Sequence, residues 1–507
     1  MARVFYSDGL QLEARDKDEL HFLYNGLDCC LTLEILSALL QNQTKFSTLI
    51  YNFERALQAP ALEMMLRGFL IDNIYKHDAI STLSQSAERL QRNLDKLAYA
   101  VWDKPLNPNS PKQMKEFFYE SMGLKPVFKF AKGKRTVTTN RQAIEQLSSY
   151  LHARPFCSHV LALRDTLKLI STLRTGVDPD HRIRASYNVA GTETGRWSSS
   201  ENAFGTGTNL QNITPSLRQL FIADPGMKLA YCDLEQAESR VVGMICYALF
   251  NDERYISACE AGDLHTAVTR MVWTKLPWTE NQKENRAIAD QKFYREFSYR
   301  DMAKRAGHGT NYRGQAPTIA KNLNVEQAIV AEFQQAYFTA FPAIKSWHLN
   351  VAQQLQTQGQ LTTFLGRQRH FFSRLTDDAT LREAIAFEPQ SIVGDVMNEA
   401  IRRLHNAPNV QLLAQIHDAV VFQYPEHLEL PVLTSAYKLL QVPLTIRDKT
   451  FTIPIELSSG WNWGKREETK DGRIINPDGL KKFKFSSPDT RTRLVSHDTP
   501  LLHRPIW

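Results

Sequence analysis

The stretch VQLLAQIHDAVVFQY, residues 410–424, contains two apolar runs separated by a short polar break. The break places His417 and Asp418 between the two runs. Apolar runs on both sides of such a break are typical of a β-hairpin. We therefore predict a hairpin over this stretch, with His417 and Asp418 at its tip.

A third apolar run, KLAYC at residues 228–232, ends directly at Asp233. A carboxylate at the edge of a buried strand is costly unless it is paired or binds a cation. Asp233 and Asp418, on two separate strands, could hold two Mg²⁺ ions about 4 Å apart. An aspartate at a strand end is also a common turn or cap residue. Taken singly, the two aspartates leave both interpretations open.

A cationic segment, YRDMAKRAGHGTNY at residues 299–312, places Arg300, Lys304, His308 and Tyr312 four residues apart. On a helix these side chains form one stripe about 18 Å long. The cations at one end suit a triphosphate, and the aromatic ring at the other suits a base or a sugar. A solvated charged face would show the same spacing, so the segment alone leaves two interpretations open.

The composition excludes several classes of protein. With 507 residues we expect about three domains, and a hydrophobic content of 43% excludes a disordered chain. Lys and Arg exceed Asp and Glu by 61 to 54, which permits a nucleic-acid partner without requiring one. The six cysteines form no C-x-x-C pair, so no zinc site or disulfide framework is indicated. We see no signal peptide and no unbroken apolar run of about 18 residues, and we expect a cytoplasmic protein without a membrane contact.

The remaining patterns predict a largely helical chain. We expect helices over residues 18–45, 50–67, 75–103 and 141–176, and an almost wholly helical stretch over 260–355. TTFLGRQR, residues 362–369, predicts a hairpin that turns at Gly366. The polar residues after Lys465 read as a loosely structured tail.

Five motifs occur in the order seen in family A DNA polymerases, the relatives of bacterial DNA polymerase I and of several bacteriophage replicases. They are TETGRWSSS (192–200), TNLQNI (208–213), CDLEQAESR (232–240), RDMAKRAGHGTNY (300–312) and QIHDA (415–419). The resemblance runs from about residue 50 to 465. It implies an α+β right-hand polymerase fold with a largely helical thumb and fingers and an antiparallel sheet in the palm. The implied parts are a thumb at 45–180, a palm at 181–260 and 376–465, fingers at 261–375, an exonuclease remnant at 1–44 and a C-terminal extension at 466–507.

The resemblance also implies an activity and its residues. The chain would add dNTPs to a primer 3′ end on template DNA by two-metal phosphoryl transfer, with Mg²⁺ or substituting Mn²⁺. It would serve bacteriophage replication in the host cytoplasm. Asp233, Asp418 and the carbonyl of Leu234 would bind the metals, and Lys304 would act with both aspartates in catalysis. The implied nucleotide-binding residues are Arg300, Lys304, His308, Tyr312, Gln236, Glu238 and His265. The implied primer–template residues are Lys168, Arg196, Gln211, Arg382, Gln390 and His417.

The sequence departs from the family pattern at four places. His308 stands where Phe or Tyr is usual, which leaves its effect on sugar and base selection open. Arg313 stands where a glycine usually follows the tyrosine. Ala419 replaces an acidic residue, so catalysis should rest on two aspartates. Residues 202–207 (NAFGTG) lengthen the loop before TNLQNI.

YNGLDCCLTLEI, residues 24–35, resembles the last motif of a 3′–5′ proofreading exonuclease, in which a tyrosine and an aspartate four residues apart hold a water and a metal. Tyr24 and Asp28 have that spacing, but 23 residues precede Tyr24 and contain no D-x-E pair. A two-metal nuclease needs further carboxylates, so we predict that this chain alone does not proofread. The remnant is either structural or completed by a separate exonuclease subunit, and replication accessory proteins are further expected partners.

Two other functions stay open at this point. A single-subunit RNA polymerase shares the palm, but Glu238, which would exclude a ribose 2′-hydroxyl, and TNLQNI argue against it. A degenerate DNA-binding scaffold is the second alternative. Retention of Asp233, Asp418, Arg300 and Lys304 argues against that scaffold.

Overall fold

A computed structural model of the chain describes residues 17–131, 134–202, 204–295, 297–469 and 471–485. Most described residues are helical, and the strands pair antiparallel around one five-stranded sheet. The first 16 residues of the predicted exonuclease remnant and residues 486–507 of the predicted extension lie outside the described residues.

The N-terminal part is mainly helical. Its elements are α1 (Lys17–Gln41), α2 (Lys45–Ala56), α3 (Gln58–Arg67), β1 (Phe69–Ile71), α4 (Asn73–Trp102), α5 (Pro111–Lys115), a π-helical turn (Glu116–Ser121), β2 (Phe128–Ala131), β3 (Lys134–Val137), α6 (Arg141–Leu147) and α7 (Arg154–Leu173). Helices α4 and α7 pack against each other around a hydrophobic core of their own that includes Leu94, Phe117 and Val160. This core is separate from the main core of the molecule.

Two predicted helices are each divided in the structure. The helix expected over 50–67 breaks at Leu57, because Pro60 has no amide hydrogen to donate to the preceding turn. The helix expected over 141–176 becomes α6 and α7, with Pro155 in the first turn of α7. The helix expected over 75–103 is confirmed as α4.

The middle of the chain begins with strands and becomes helical. Its elements are β4 (Arg182–Ile183), β5 (Ser186–Asn188), β6 (Ser198–Ser200), 3-10 turns (Leu210–Asn212 and Pro215–Leu220), β7 (Phe221–Ile222), β8 (Met227–Leu234), α8 (Ala237–Phe250), α9 (Arg254–Glu260), α10 (Leu264–Val272), α11 (Gln282–Ala289), β9 (Lys292–Tyr294), β10 (Phe297–Ser298), α12 (Tyr299–Asn311), α13 (Ala316–Leu323), α14 (Gln327–Ala340) and α15 (Pro342–Gln358). The predicted cationic helix is confirmed as α12, which ends at Tyr312.

The last part completes the central sheet. Its elements are β11 (Gln360–Thr362), β12 (Gln368–His370), α16 (Asp378–His405), β13 (Gln411–Ile416), β14 (Ala419–Pro425), a 3-10 turn (Glu426–Leu428), α17 (Glu429–Leu440), β15 (Pro443–Ile446), β16 (Lys449–Thr452), β17 (Ile455–Gly460), β18 (Glu467–Glu468), β19 (Ile474–Ile475) and β20 (Lys481–Lys482). The sheet has the order β13-β14-β8-β17-β20. Both predicted hairpins are confirmed, as β13–β14 and as β11–β12 with Gly366 at φ +93°. Helices α8 and α16 pack together, and α16 also contacts β13 and β14.

The prediction of a loosely structured tail is wrong for the part that the structure describes. Strand β20 pairs with β17, with Ser459 opposite Lys481, and the amide of Phe483 donates to the carbonyl of Leu457 at 2.9 Å. Gly460 allows this close approach, because a Cβ there would lie 2.6 Å from the carbonyl oxygen of Gly479. The polar composition of the tail gave no sign of this order, because the order comes from backbone pairing with β17.

Helix α1 is apolar and exposed. Within the described residues, its stretch His21–Gln41 is the one helix long and apolar enough to cross a membrane by length and composition, and none of that stretch is buried. Such a helix near an N-terminus is a weak indication, because signal sequences and core helices meet the same criteria. The stretch contains no unbroken apolar run of about 18 residues, because Asp28 and Glu34 interrupt it. The absence of a membrane contact stays a prediction.

One buried ionic cluster joins three separate segments. The guanidinium of Arg367, after the hairpin turn, donates to Asp395 on α16 at 2.7 Å and to Glu54 on α2 at 2.6 Å. The side chains of Arg367 and Asp395 are 7% and 0% exposed. Arg367 also passes directly over Gly195, where a Cβ would lie 2.2 Å from the guanidinium carbon. The cluster therefore fixes the loop that carries Arg196.

Asp395→Asn should lower the free energy of unfolding by about 3–5 kcal/mol, because it removes one partner of a buried charge. Urea denaturation measures the loss. The matched control is Asp165→Asn, which breaks an ion pair to Arg141 whose side chains are 51% and 59% exposed. That control should cost less than about 1 kcal/mol. Equal losses in the two variants would contradict the assignment.

Candidate functional site

The two predicted aspartates lie on neighbouring strands. Asp233 is near the end of β8, and its cross-strand partner is Ala419, the residue after Asp418. The amide of Leu234 donates to the carbonyl of Asp418 at 3.1 Å, and Glu456 on β17 lies opposite Asp233 on the other side. Burial and the charge of Asp418 raise the pKa of Asp233 to about 6. The pairing of β8 with the hairpin thus brings the partly buried carboxylates of Asp233 and Asp418 near each other.

Arg196 balances part of this negative charge. Its Nη2 donates to Asp418 Oδ1 at 3.0 Å and to Glu238 Oε1 at 2.7 Å. Its loop is held from the other side by Asn398 of α16, whose amide donates to the carbonyl of Gly195 at 3.1 Å. Burial raises the pKa of Asp418, although the Arg196 charge opposes the rise. Arg196 is therefore a counter-ion as well as a predicted primer–template contact.

A cavity of about 730 Å³ lies in front of the two aspartates. It brings together most of the predicted metal and nucleotide residues: Asp233, Leu234, Gln236, Glu238, His265, Lys304, His308 and Asp418. The predicted primer–template residue Gln390 lines it as well. The carboxylates form one wall, and the Lys304–His308 face of α12 forms another. Arg300 and Tyr312 are connected to this cavity through partners rather than as part of its lining.

Arg300 is held by a residue that the sequence analysis did not identify. Its Nε and Nη2 donate to the two oxygens of Asp263 at 2.9 and 3.0 Å. Asp263 also caps α10 by accepting from the amides of His265 and Thr266. Burial opposes ionisation, but the hydrogen bond from Arg300 keeps the pKa of Asp263 well below its usual value. The helix-start signal of GDLH, residues 262–265, was visible, but its partner thirty-seven residues away was not.

Tyr312, the last residue of the stripe on α12, contacts Glu238 of α8. The Tyr312 hydroxyl donates to Glu238 Oε2, and the ring of His308 meets that of Tyr312 edge-on with centroids 5.1 Å apart. Burial and the Glu238 charge raise the pKa of Tyr312. Glu238 is thus held by both Arg196 and Tyr312, so its carboxylate has a fixed position in the cavity wall.

Two further lining residues are suited to bind a neutral or polar ligand group. Burial and the nearby Arg300 lower the pKa of His265 to about 4, which keeps the ring neutral at pH 7. Gln236 adopts φ +55° between β8 and α8, and its buried Oε1 has no hydrogen-bond partner among the described residues. An unpaired buried acceptor is costly unless a ligand supplies the donor.

The predicted primer–template residues fall in different places. Gln211 donates to Gln415 at 2.6 Å, and Gln415 donates to the carbonyl of His417 at 2.5 Å, so these side chains meet beside the hairpin tip. Gln415, the first residue of the QIHDA motif, is not among the predicted site residues. Arg382, on α16, pairs with Asp378. Lys168 is exposed on α7 and does not line the cavity.

The carboxylate pair fits a hard divalent cation. Such cations prefer oxygen donors, and a positive charge between Asp233 and Asp418 would relieve the repulsion that raises the pKa of Asp233. Within the described part of the chain, no group of three or more His, Cys, Asp or Glu side chains has metal-binding geometry. The two aspartates and the carbonyl of Leu234, which the family resemblance implies as donors, stay a prediction.

Comparisons with known proteins show which family the chain belongs to. The profile of the family described as DNA polymerase family A matches residues 77–465. The thermostable DNA polymerase I of Thermus filiformis is 29% identical over 79% of this chain and 47% of its own length. The DNA polymerase I of Chloroflexus aurantiacus is 26% identical over 87% of this chain and 46% of its own length. The chain thus spans about half the length of these relatives.

A solved structure shares the fold. It is described as the POL domain of Pol1 from M. smegmatis in complex with DNA primer-template and dNTP. It matches 81% of this chain and 70% of its own with a TM-score of 0.66 and 24% identity. The predicted α+β polymerase fold is confirmed by this match.

Asp233→Asn should stabilise the metal-free protein at pH 8. The folded pKa of about 6 exceeds the ordinary value of 3.8, so the folded state binds the proton more tightly and stability falls as pH rises from about 4 to 6. Removing the charge should restore about 1–2 kcal/mol at pH 8 and almost nothing at pH 4.

Thermal melting with a chelator measures this change. Added Mg²⁺ should raise the Tm of the unaltered chain and leave that of Asp233→Asn unchanged. A lower Tm for Asp233→Asn at pH 8 in chelator would show that burial does not oppose ionisation of this carboxylate.

Proposed function

This chain belongs to DNA polymerase family A, and on that basis we propose that it is a template-directed DNA polymerase that adds deoxynucleotides to a primer 3′ end. One observation carries the proposal. The paired aspartates of β8 and the hairpin tip face the Lys304–His308 side of α12 across a single cavity. Phosphoryl transfer needs little covalent help from a protein, and depends on positioning and charge stabilisation. This cavity offers both positioning and charge stabilisation, because its walls carry the aspartates on one side and Lys304 on the other.

Asp233, Asp418 and the carbonyl of Leu234 would hold two Mg²⁺ ions, or Mn²⁺ in their place. The bound ions would supply the positive charge that activates a 3′-hydroxyl and neutralises the transferred phosphate. Arg196, now paired with Asp418, would turn toward the primer terminus when the cations take over the charge of Asp418.

Lys304 and Arg300 would bind the incoming triphosphate. Asp263 orients the Arg300 guanidinium by occupying two of its donors, which leaves Nη1 for a phosphate oxygen. Lys304, one turn further along α12, lines the cavity and would place its charge on the phosphate that is transferred. Lys304 is therefore the cation that we assign to catalysis.

The sugar and base would lie at the other end of α12. Glu238, fixed by Arg196 and Tyr312, would leave no room for a ribose 2′-hydroxyl. Gln236 and His265 would contact the nucleotide, and the His308 ring would lie against its sugar or base. Tyr312 would stand beside the template base.

The primer–template would extend from this cavity toward the N-terminal helices. Arg196, Gln211 and His417 would contact it near the primer terminus, Arg382 and Gln390 from α16, and Lys168 its backbone. We assign residues 45–180 to a thumb, 181–260 and 376–465 to a palm, and 261–375 to fingers. Of the described strands after residue 465, β20 extends the proposed palm sheet, and β18 and β19 pair with each other.

The origin and location of the protein stay predictions. The relatives compared above are bacterial, and we retain replication of a bacteriophage in a host cytoplasm as a hypothesis. Replication accessory proteins remain expected partners.

Primer extension tests the proposed activity. The chain should extend a primer with dNTPs and not with rNTPs, and Asp233→Asn should lower the rate by several orders of magnitude because a cation ligand is lost. The matched control is Asp471→Asn, an aspartate at an exposed turn of the last strands, which should keep the rate. An unchanged rate in Asp233→Asn would refute the metal role, and incorporation of rNTPs would favour an RNA polymerase.

A nuclease assay tests the prediction that this chain alone does not proofread. Tyr24 and Asp28 lie on exposed helix α1, which the rest of the described chain does not cover. The purified chain should leave a labelled single strand intact, and Asp28→Ala should change nothing. Degradation that disappears in Asp28→Ala would show instead that the chain carries a complete nuclease. If a co-purifying polypeptide adds nuclease activity that needs Asp28, the separate-subunit alternative is correct.

A further inference from the structure

Arg313, the residue after Tyr312, adopts a backbone conformation that glycine adopts freely and arginine does not. Its φ is +55°, in the left-handed region. Its amide closes the turn by donating to the carbonyl of Thr310 at 3.0 Å, and Gly314 follows with a bond to Gly309 at 2.8 Å. The turn itself therefore needs no side chain at residue 313. An arginine at such a place suggests that its guanidinium has a use elsewhere.

The side chain of Arg313 lies in a cationic cluster at the surface. Its Nη1 donates to Asp378 Oδ1 at 2.8 Å, and the other oxygen of Asp378 accepts from Arg382. One carboxylate is thus shared by two guanidinium groups, each more than a third exposed. Arg313 and Lys345 line a cavity of about 270 Å³, together with Gln315. We call Arg313, Arg382, Lys345 and Asp378 the Arg313 cluster; its formal charge is positive.

A polyphosphate bound at Arg300 and Lys304 cannot reach this cluster. Arg313 is nine residues beyond Lys304, the nearer of these two cations, and nine helical residues rise by about 14 Å. The cluster lies instead behind the Tyr312 end of α12, and it includes Arg382, which we assign to the primer–template. A phosphodiester strand that passes Tyr312 would meet it.

Resting on the proposed function, we propose that Arg313 binds a phosphate of the unpaired template strand, with Arg382 and Lys345 beside it. Arginine suits this role because its planar group keeps several donors free after one is used for Asp378. A phosphate would compete with the Asp378 carboxylate for the donors of the two guanidinium groups. The ligand is thus the sugar–phosphate backbone of a single strand, read by charge and not by base.

DNA binding of Arg313→Gly and Arg313→Asn tests the proposal, since both residues tolerate a positive φ. The probes are labelled primer–template DNAs with and without an unpaired 5′ template overhang. We expect several-fold weaker binding of the overhang DNA, unchanged binding of the blunt DNA, and a salt dependence reduced by about one phosphate contact. The Tm should stay equal or rise, because the strained conformation is relieved.

The matched control is Arg447→Gly, an exposed arginine at φ +54° in the β15–β16 turn. It should change neither DNA affinity. If the Arg313 variants leave overhang binding unchanged, or raise the KM for dNTP instead, the proposal is overturned.

Asp378→Asn distinguishes two roles of Arg313. The residue either contacts a phosphate or only forms an ion pair that joins α16 to the end of α12. If Arg313 acts only through its ion pair, Asp378→Asn weakens overhang binding as Arg313→Gly does, and the proposal fails. If Arg313 binds the strand, Asp378→Asn frees two guanidinium groups and tightens overhang binding. These binding assays need no catalysis, so an inactive chain would refute the polymerase proposal without deciding this one.

Discussion

The repulsion between Asp233 and Asp418 is the constraint around which the molecule is organised. The pairing of β8 with β14 places these carboxylates near each other, and burial removes much of the water that would screen their charges. Such a pair persists in a folded protein when positive charge is supplied nearby or when one carboxyl group keeps its proton. Arg196 supplies positive charge from a loop pinned by α16, and α12 presents Lys304 across the cavity. The negative pair is therefore both a cost to stability and the reason why cations gather here.

The positions of these cations depend on contacts far from the cavity. The Arg367 cluster holds the loop of Arg196 through Gly195, and Asp263 at the start of α10 holds Arg300. Both supports use carboxylates that do not line the cavity. A second layer of acidic residues thus sets where the basic residues point, and the basic residues set where an anionic substrate can lie.

The sequence predicted those elements and site residues whose pattern lies within a short stretch of chain. Apolar runs that end at polar residues located β8 and the Asp418 hairpin, and four-residue spacing located the face of α12, because strands and helices repeat over short distances. Pairings between distant residues left no such signal. Nothing near Arg196 predicts Asp418, and nothing near Arg300 predicts Asp263. For the same reason, the sequence did not predict the order of the tail, which depends on pairing with β17. It also did not predict the left-handed conformation of Arg313, which depends on how α12 ends.

The last described strand has a consequence for how the molecule behaves in a crowded solution. An open sheet edge presents unpaired amides and carbonyls to which a strand of another molecule can add. At one edge of the central sheet, Glu63 of α3 accepts the amide of Leu412 on β13. At the other, β20 covers β17 with two lysines, a short and charged strand on which further addition is unfavourable. Strand β20 thus protects this edge against pairing with another molecule. A chain cut back to residues 77–465, the segment that matches the family, would expose β17 as an open edge strand.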